Sequence, residues 1–256
     1  MTRSYRLSYS TLAWGPTLDL EACLAAVSDA GWEGIEFINV GLDWLGTPAR
    51  VRRLLEQTGL TPVAYFTGVA VGPTAKENNT RTRRAVDFAA ETGFSILGLV
   101  GAERIPLSAT TDDAITALGQ ATEELIDHAS SYGMTVAHHA HLRSMVESQT
   151  ETDRLLRASA RLQVCLDVSV ATLMGEDPVE QYRHFRDRVG YVHLKDWKNS
   201  RPEPLGQGTI DFPAFLGELE TSGYNGWVTT ELSPYADHDP VEACIANRAY
   251  LRSIGR

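Results

Sequence analysis

The chain alternates between two hydrophobic patterns. Short apolar runs, of the kind found in strands covered on both faces, are followed by longer stretches with apolar side chains at i, i+3, i+4 and i+7, the spacing of an amphipathic helix. Leu20, Cys23, Leu24 and Val27 show that spacing within residues 18–30, and Phe212, Phe215, Leu216 and Leu219 repeat it late in the chain. Gly31, Gly59, Gly93, Gly133 and Gly223 each stand between a helical stretch and the next apolar run. Helices commonly end on a residue of positive φ, which glycine adopts without strain. Asp211, Asp177-Pro178 and Asp239-Pro240 mark helix starts, the last two offering a carboxylate cap with proline in the first turn.

Eight apolar runs predict strands at residues 7–11, 34–38, 63–66, 96–100, 135–139, 164–167, 191–195 and 227–232, and a helical pattern follows each. Strands separated by helices pair in parallel. Eight such units in 256 residues match the size of a (β/α)8 TIM barrel, whereas a doubly wound open sheet would use fewer strands or longer connections. No linker, low-complexity stretch or compositional shift divides the chain, so residues 1–256 are expected to form a single domain.

Composition acts mainly by exclusion. A net charge of −10 repels nucleic-acid backbones, and the densest basic cluster, Arg81, Arg83 and Arg84, fits the solvated face of a helix. There is no run of roughly 18 apolar residues, and the opening MTRSYRLSYSTLAWG lacks the apolar segment of a signal peptide. The expectation is a cytoplasmic protein without nucleic-acid or membrane partners, compatible with a homo-oligomer. Cys23, Cys165 and Cys244 are odd in number and lack metal or redox spacing, which predicts buried free thiols.

In a barrel of this kind the chemistry gathers at the C-terminal ends of the strands. Strand five ends in His138-His139-Ala140-His141 and carries Glu147 in its loop; strand six ends in Asp167, strand seven in His193-Leu194-Lys195-Asp196, and strand eight in Glu231. Each residue alone has a plain reading. Asp167 would cap a turn, Glu147 would start a helix, His193 would sit in a core, and Glu231 would pair with a lysine. Four consecutive units delivering such groups to one rim point further, because buried carboxylates without compensation are costly and a shared cation removes that cost. A mixed imidazole and carboxylate set predicts one divalent metal ion, of the Mn²⁺, Co²⁺, Zn²⁺ or Fe²⁺ type.

His139 and His141 lie two residues apart, so strand alternation would turn both to one side, toward substrate hydroxyls or a proton to be moved. Lys195 stands in the same relation to His193. It would stabilise an enolate or donate to a departing hydroxyl, unless it forms an ion pair with Asp196. Glu36 in strand two and Trp14 after strand one are candidates for binding hydroxyls and stacking on a sugar ring.

These segments resemble the xylose-isomerase-like TIM barrels, a family that includes sugar epimerases, inosose dehydratases and endonuclease IV. HAHLRSMVE (139–147) is similar to the H-x-H-x-G-T-x-V-E stretch of inosose dehydratase-like members, with Arg143 and Ser144 where that pattern has glycine and threonine. VCLDVSVATLMGEDP resembles the Asp-bearing sixth strand, and YVHLKD, GQGTIDF and GWVTTEL follow in the family's order. In this setting Gly206-x-Gly208-x-x-Asp211 reads as the loop after strand seven and not as a dinucleotide site. The resemblance implies Glu147, Asp167, His193 and Glu231 as metal ligands, with Glu147 and Glu231 doubling as an acid/base pair. Spacing alone leaves His139 as the alternative ligand from strand five. Val170 stands where the family often has a histidine.

The implied activity is isomerisation or epimerisation of a sugar or keto-polyol by proton abstraction beside a carbonyl, with Glu147, Glu231 or His141 as base. The alternative is a dehydratase of the inosose type. The substrate is expected to be a neutral sugar or cyclic polyol, since no glycine-rich phosphate cradle adjoins the late strands. An endonuclease IV-like enzyme would need further ligands, and VAYFTG and LGLVGAE supply no histidine. A barrel subunit without catalysis is the remaining alternative.

Overall fold

The structure is a computed structural model that describes residues 4–38, 40–73, 75–104, 110–234 and 238–256. Its strands are β1 (Arg6–Ser10), β2 (Gly34–Ile38), β3 (Thr61–Val69), β4 (Ile96–Gly101), β5 (Thr135–His139), β6 (Gln163–Asp167), β7 (Val189–Leu194), β8 (Asp196–Lys198), β9 (Arg201–Glu203) and β10 (Trp227–Thr230). Its helices are α1 (Leu20–Ala30), α2 (Leu42–Leu45), α3 (Pro48–Thr58), α4 (Ala75–Thr92), α5 (Asp112–Ser130), α6 (Gln149–Ala158), α7 (Val168–Leu173), α8 (Pro178–Phe185), α9 (Phe212–Ser222) and α10 (Pro240–Ser253). Eight strands close a barrel in the order β1-β10-β7-β6-β5-β4-β3-β2, a (β/α)8 TIM barrel. Every apolar run singled out in the sequence is one of those eight. The antiparallel hairpin β8–β9 was not foreseen.

The punctuation of the chain works as its chemistry suggests. Gly31, Gly59 and Gly223 end α1, α3 and α9 in the left-handed conformation, and Asp211 accepts the Ala214 N–H at the start of α9. Asp177 and Asp239 cap α8 and α10 in the same way, each with proline in the first turn.

The chain divides into two compact units, Met1–Val63 with Val192–Arg256, and Ala64–Tyr191. In the first, β1 pairs in parallel with β2 and β10, bringing Ser10 opposite Glu36 and Tyr9 opposite Thr230. Ser8 and Thr229 share a buried hydroxyl–hydroxyl hydrogen bond. Tyr9 packs on Trp32, whose indole N–H donates to the Cys244 carbonyl. All three cysteines are buried and none forms a disulfide, and burial pushes the Cys244 thiol up to about 12, which keeps it protonated.

In the second unit β3, β4, β5 and β6 run parallel, with Phe66 opposite Gly98 and Val100 opposite His139. A Cβ at Gly98 would fall 2.3 Å from the Phe66 ring, so the missing side chain admits the phenyl group. Phe66 meets His139 edge-on with 6.0 Å between ring centroids and leans on Tyr191 at 6.1 Å, giving the imidazole an apolar neighbour. Among the described residues no helix is long and apolar enough to cross a membrane.

Candidate metal centre

In the first unit, β7 delivers His193 and β2 delivers Glu36. Neither has exposed surface, and His193 Nε2 lies 2.7 Å from Glu36 Oε2. The opposite ring nitrogen, Nδ1, faces Glu231 Oε2 at 3.8 Å. Glu231 follows β10, where its N–H donates to Leu194 O, and its Oε1 accepts from Lys195 Nζ at 2.7 Å. The lysine therefore serves this buried carboxylate and not Asp196.

Asp196 has other work. Its Oδ1 accepts the backbone N–H groups of Trp197, Thr209 and Ile210, and its Oδ2 accepts those of Gly206 and Gly208. Five converging N–H dipoles make a nest around one carboxylate. Gly208 is required for it, because a Cβ there would lie 2.0 Å from Asp196 Oδ1. Asp196→Asn puts an amide NH₂ against backbone donors and is expected to cost about 2–4 kcal/mol in urea unfolding. Unchanged stability would contradict this reading of the loop.

In the second unit, β5 ends at His139. A carbonyl only accepts, so Nδ1 donates to Ala140 O (2.5 Å), and Nε2 lies 3.3 Å from Asp167 Oδ2. Asp167 ends β6 and caps α7: Oδ1 accepts from Ser169 N (2.7 Å), Ser169 Oγ (2.7 Å) and Val170 N (3.3 Å). The capping bonds thus fall on one oxygen of the carboxylate, and the His139 contact on the other.

His139, Asp167, His193 and Glu231 each offer one ligand atom, and these atoms lie within 4.8 Å of one another. Two donors on a single ion at 2.0–2.2 Å stand at most about 4.4 Å apart, a separation of the same order. Two imidazoles and two carboxylates, all buried, suit a first-row divalent ion. The residues fit the group.

Glu147 does not join the four. It is half-buried; Oε1 accepts the Arg143 N–H, and Oε2 lies 3.4 Å from the Arg104 guanidinium. Arg104 also pairs with Glu151 at 2.7 Å, donates from Nε to Ser144 O, and donates its N–H to Arg143 O. This arginine, which nothing in the local sequence marks, braces the loop after β5. Arg143 has φ 65°, which accounts for glycine at this place in the family pattern; here the bonds from Arg104 and to Glu147 hold an arginine there. Glu151 does carry a local signal, since Ser148 and Glu151 form a capping box at α6.

The remaining candidates take different places. His141 is exposed, donates from Nδ1 to Leu142 O, and lies 5.6 Å ring to ring from His139. Trp14 is half-buried in the 3₁₀ turn after β1 and meets Tyr9 edge-on. Glu36 lies against His193. Val170 is buried on α7, with its N–H on Asp167 and only an aliphatic side chain to offer. His138 lies against the space beside Gly101, Leu118 and Met145, and burial, then the neighbouring His139, pushes it down to about 3. It is neutral at physiological pH.

Comparison with known proteins concerns the fold and the family. The inosose dehydratase of Lacticaseibacillus casei is 25% identical over 262 aligned residues, covering 90% of this chain and 86% of that protein. The solved structure of the 3-keto-D-glucoside 4-epimerase YcjR from E. coli has a TM-score of 0.81 and 21% identity, covering 97% of this chain and 99% of that one. L-ribulose 3-epimerase has a TM-score of 0.83 and 19% identity, covering 98% and 94%. The structural likenesses establish the fold. The family match itself extends over residues 24–254, and on that span the chain belongs to the Xylose isomerase-like TIM barrel family.

Proposed function

We propose that this protein is a divalent-metal-dependent isomerase or epimerase of a neutral sugar or keto-polyol, acting by removal of a proton beside a carbonyl. The observation that carries this reading is the buried group of two imidazoles and two carboxylates at the strand ends. A bound divalent ion supplies Lewis-acid polarisation of a substrate carbonyl. His139, Asp167, His193 and Glu231 are assigned as its ligands, with Glu147 fixing the loop through Arg104. Lys195 holds Glu231 Oε1 in place and offers its ammonium to the substrate oxygen on which charge develops. Glu231 is assigned as the base, and His141, open to solvent beside His139, exchanges the proton with water.

A dehydratase of the inosose type is the second reading. It is favoured by the kinship with the L. casei enzyme and by Lys195, a buried proton donor that would serve a departing hydroxyl. Both readings begin with the same carbon–hydrogen cleavage. Protein loaded with Mn²⁺ or Co²⁺ is expected to place carbon-bound deuterium in a ketose or inosose in D₂O. A new enone absorbance would select the dehydratase, and absence of exchange with all of them would contradict both.

A further inference from the structure

We infer that Glu36 is a positioning residue for His193: by accepting the Nε2 proton it commits the imidazole to the tautomer whose Nδ1 lone pair faces Glu231 and the proposed cation. The metal half of this inference rests on the proposed function; the tautomer half does not.

The pair is set across the barrel, not along a ladder. Glu36 is on β2 and His193 on β7, and β1 and β10 come between them in the strand order. Those intervening strands carry Ser8, Ser10 and Thr229, all buried. Small hydroxyl side chains leave room that branched apolar residues would fill, and the longer glutamate reaches His193 at 2.7 Å. A glutamate without exposed surface is costly unless its charge is answered. Here the answering group is an imidazole N–H on the side of the ring opposite Glu231.

A neutral imidazole has one donor and one acceptor nitrogen, so the bond made by one fixes the role of the other. Nε2–H on Glu36 makes Nδ1 the acceptor. The reverse tautomer would aim a proton at the site and could not ligate an ion through Nδ1. Carboxylate partners of metal-bound histidines act in this way, and their removal typically costs about 10–100-fold in metal affinity.

The test uses full-length protein carrying ¹⁵N-labelled histidine, free of metal, with the His193 signals assigned by their loss in His193→Gln. Long-range ¹H–¹⁵N spectra of the wild type should show Nε2 protonated and Nδ1 unprotonated. Glu36→Leu should populate the other tautomer and weaken Mn²⁺ binding about 10–100-fold by calorimetry. Glu36→Gln, whose amide oxygen still accepts, should restore part of both. A wild-type His193 protonated at Nδ1 would overturn the inference, as would a folded Glu36→Leu protein with unchanged tautomer and affinity. If Glu36→Leu does not fold, the wild-type tautomer and Glu36→Gln decide. A wild type that binds no Mn²⁺ but shows the expected tautomer would count against the proposed function while leaving the role of Glu36 standing.

Discussion

Glu231→Gln is expected to abolish stoichiometric metal binding and to lower deuterium exchange at carbon by about 10³-fold or more. The effect is large because this side chain has two tasks on two oxygens. Oε2 faces His193 Nδ1, where the ligand atoms gather, and Oε1 holds the Lys195 ammonium at 2.7 Å. The amide removes a negative charge from the ligand set and from the buried lysine together. Breaking a buried ion pair on one side costs about 3–5 kcal/mol, so a lower Tm should accompany the loss of metal. Elemental analysis and the exchange rate check the prediction together. A Glu231→Gln protein that keeps one ion per chain and the wild-type rate would contradict the assignment.

Lys195→Met separates chemistry from metal binding. The ligand atoms remain, and methionine fills most of the volume of the lysine stem. Metal content should therefore stay near that of the wild type, while exchange falls about 10²–10³-fold, the typical cost of losing one donor aimed at developing charge. Under the dehydratase reading elimination would fall further than exchange, because the donor to the leaving hydroxyl is lost as well. An unchanged exchange rate would show that Lys195 only supports Glu231 structurally. Lost metal would place it in the ligand framework.

How far these features were legible in the sequence depended on whether their causes were local. Glycines ending helices and Asp-Pro caps act through neighbouring backbone, so the order of barrel units could be read directly, whereas β8–β9 could not. That hairpin has three-residue strands and is organised by a carboxylate collecting N–H groups from as far along as Ile210. Asp167, His193 and Glu231 were visible as polar residues ending apolar runs. The surroundings of Glu147 were not, since it is held by Arg104 from the loop after β4. The partner of Lys195 could have been anticipated, because successive strand residues face opposite ways and Asp196 was thereby turned from it. The approach of Glu36 to His193 depends on the curvature of β2, β1, β10 and β7 and on small residues at Ser8, Ser10 and Thr229, which no spacing along β2 reports.

The most direct test is a crystal structure of Mn²⁺-loaded protein with an anomalous difference map. The account predicts one peak per chain, bonded at about 2.0–2.2 Å to one atom each of His139, Asp167, His193 and Glu231. A peak bound elsewhere, or these four side chains found apart in a metal-free protein that still exchanges substrate protons at full rate, would contradict it.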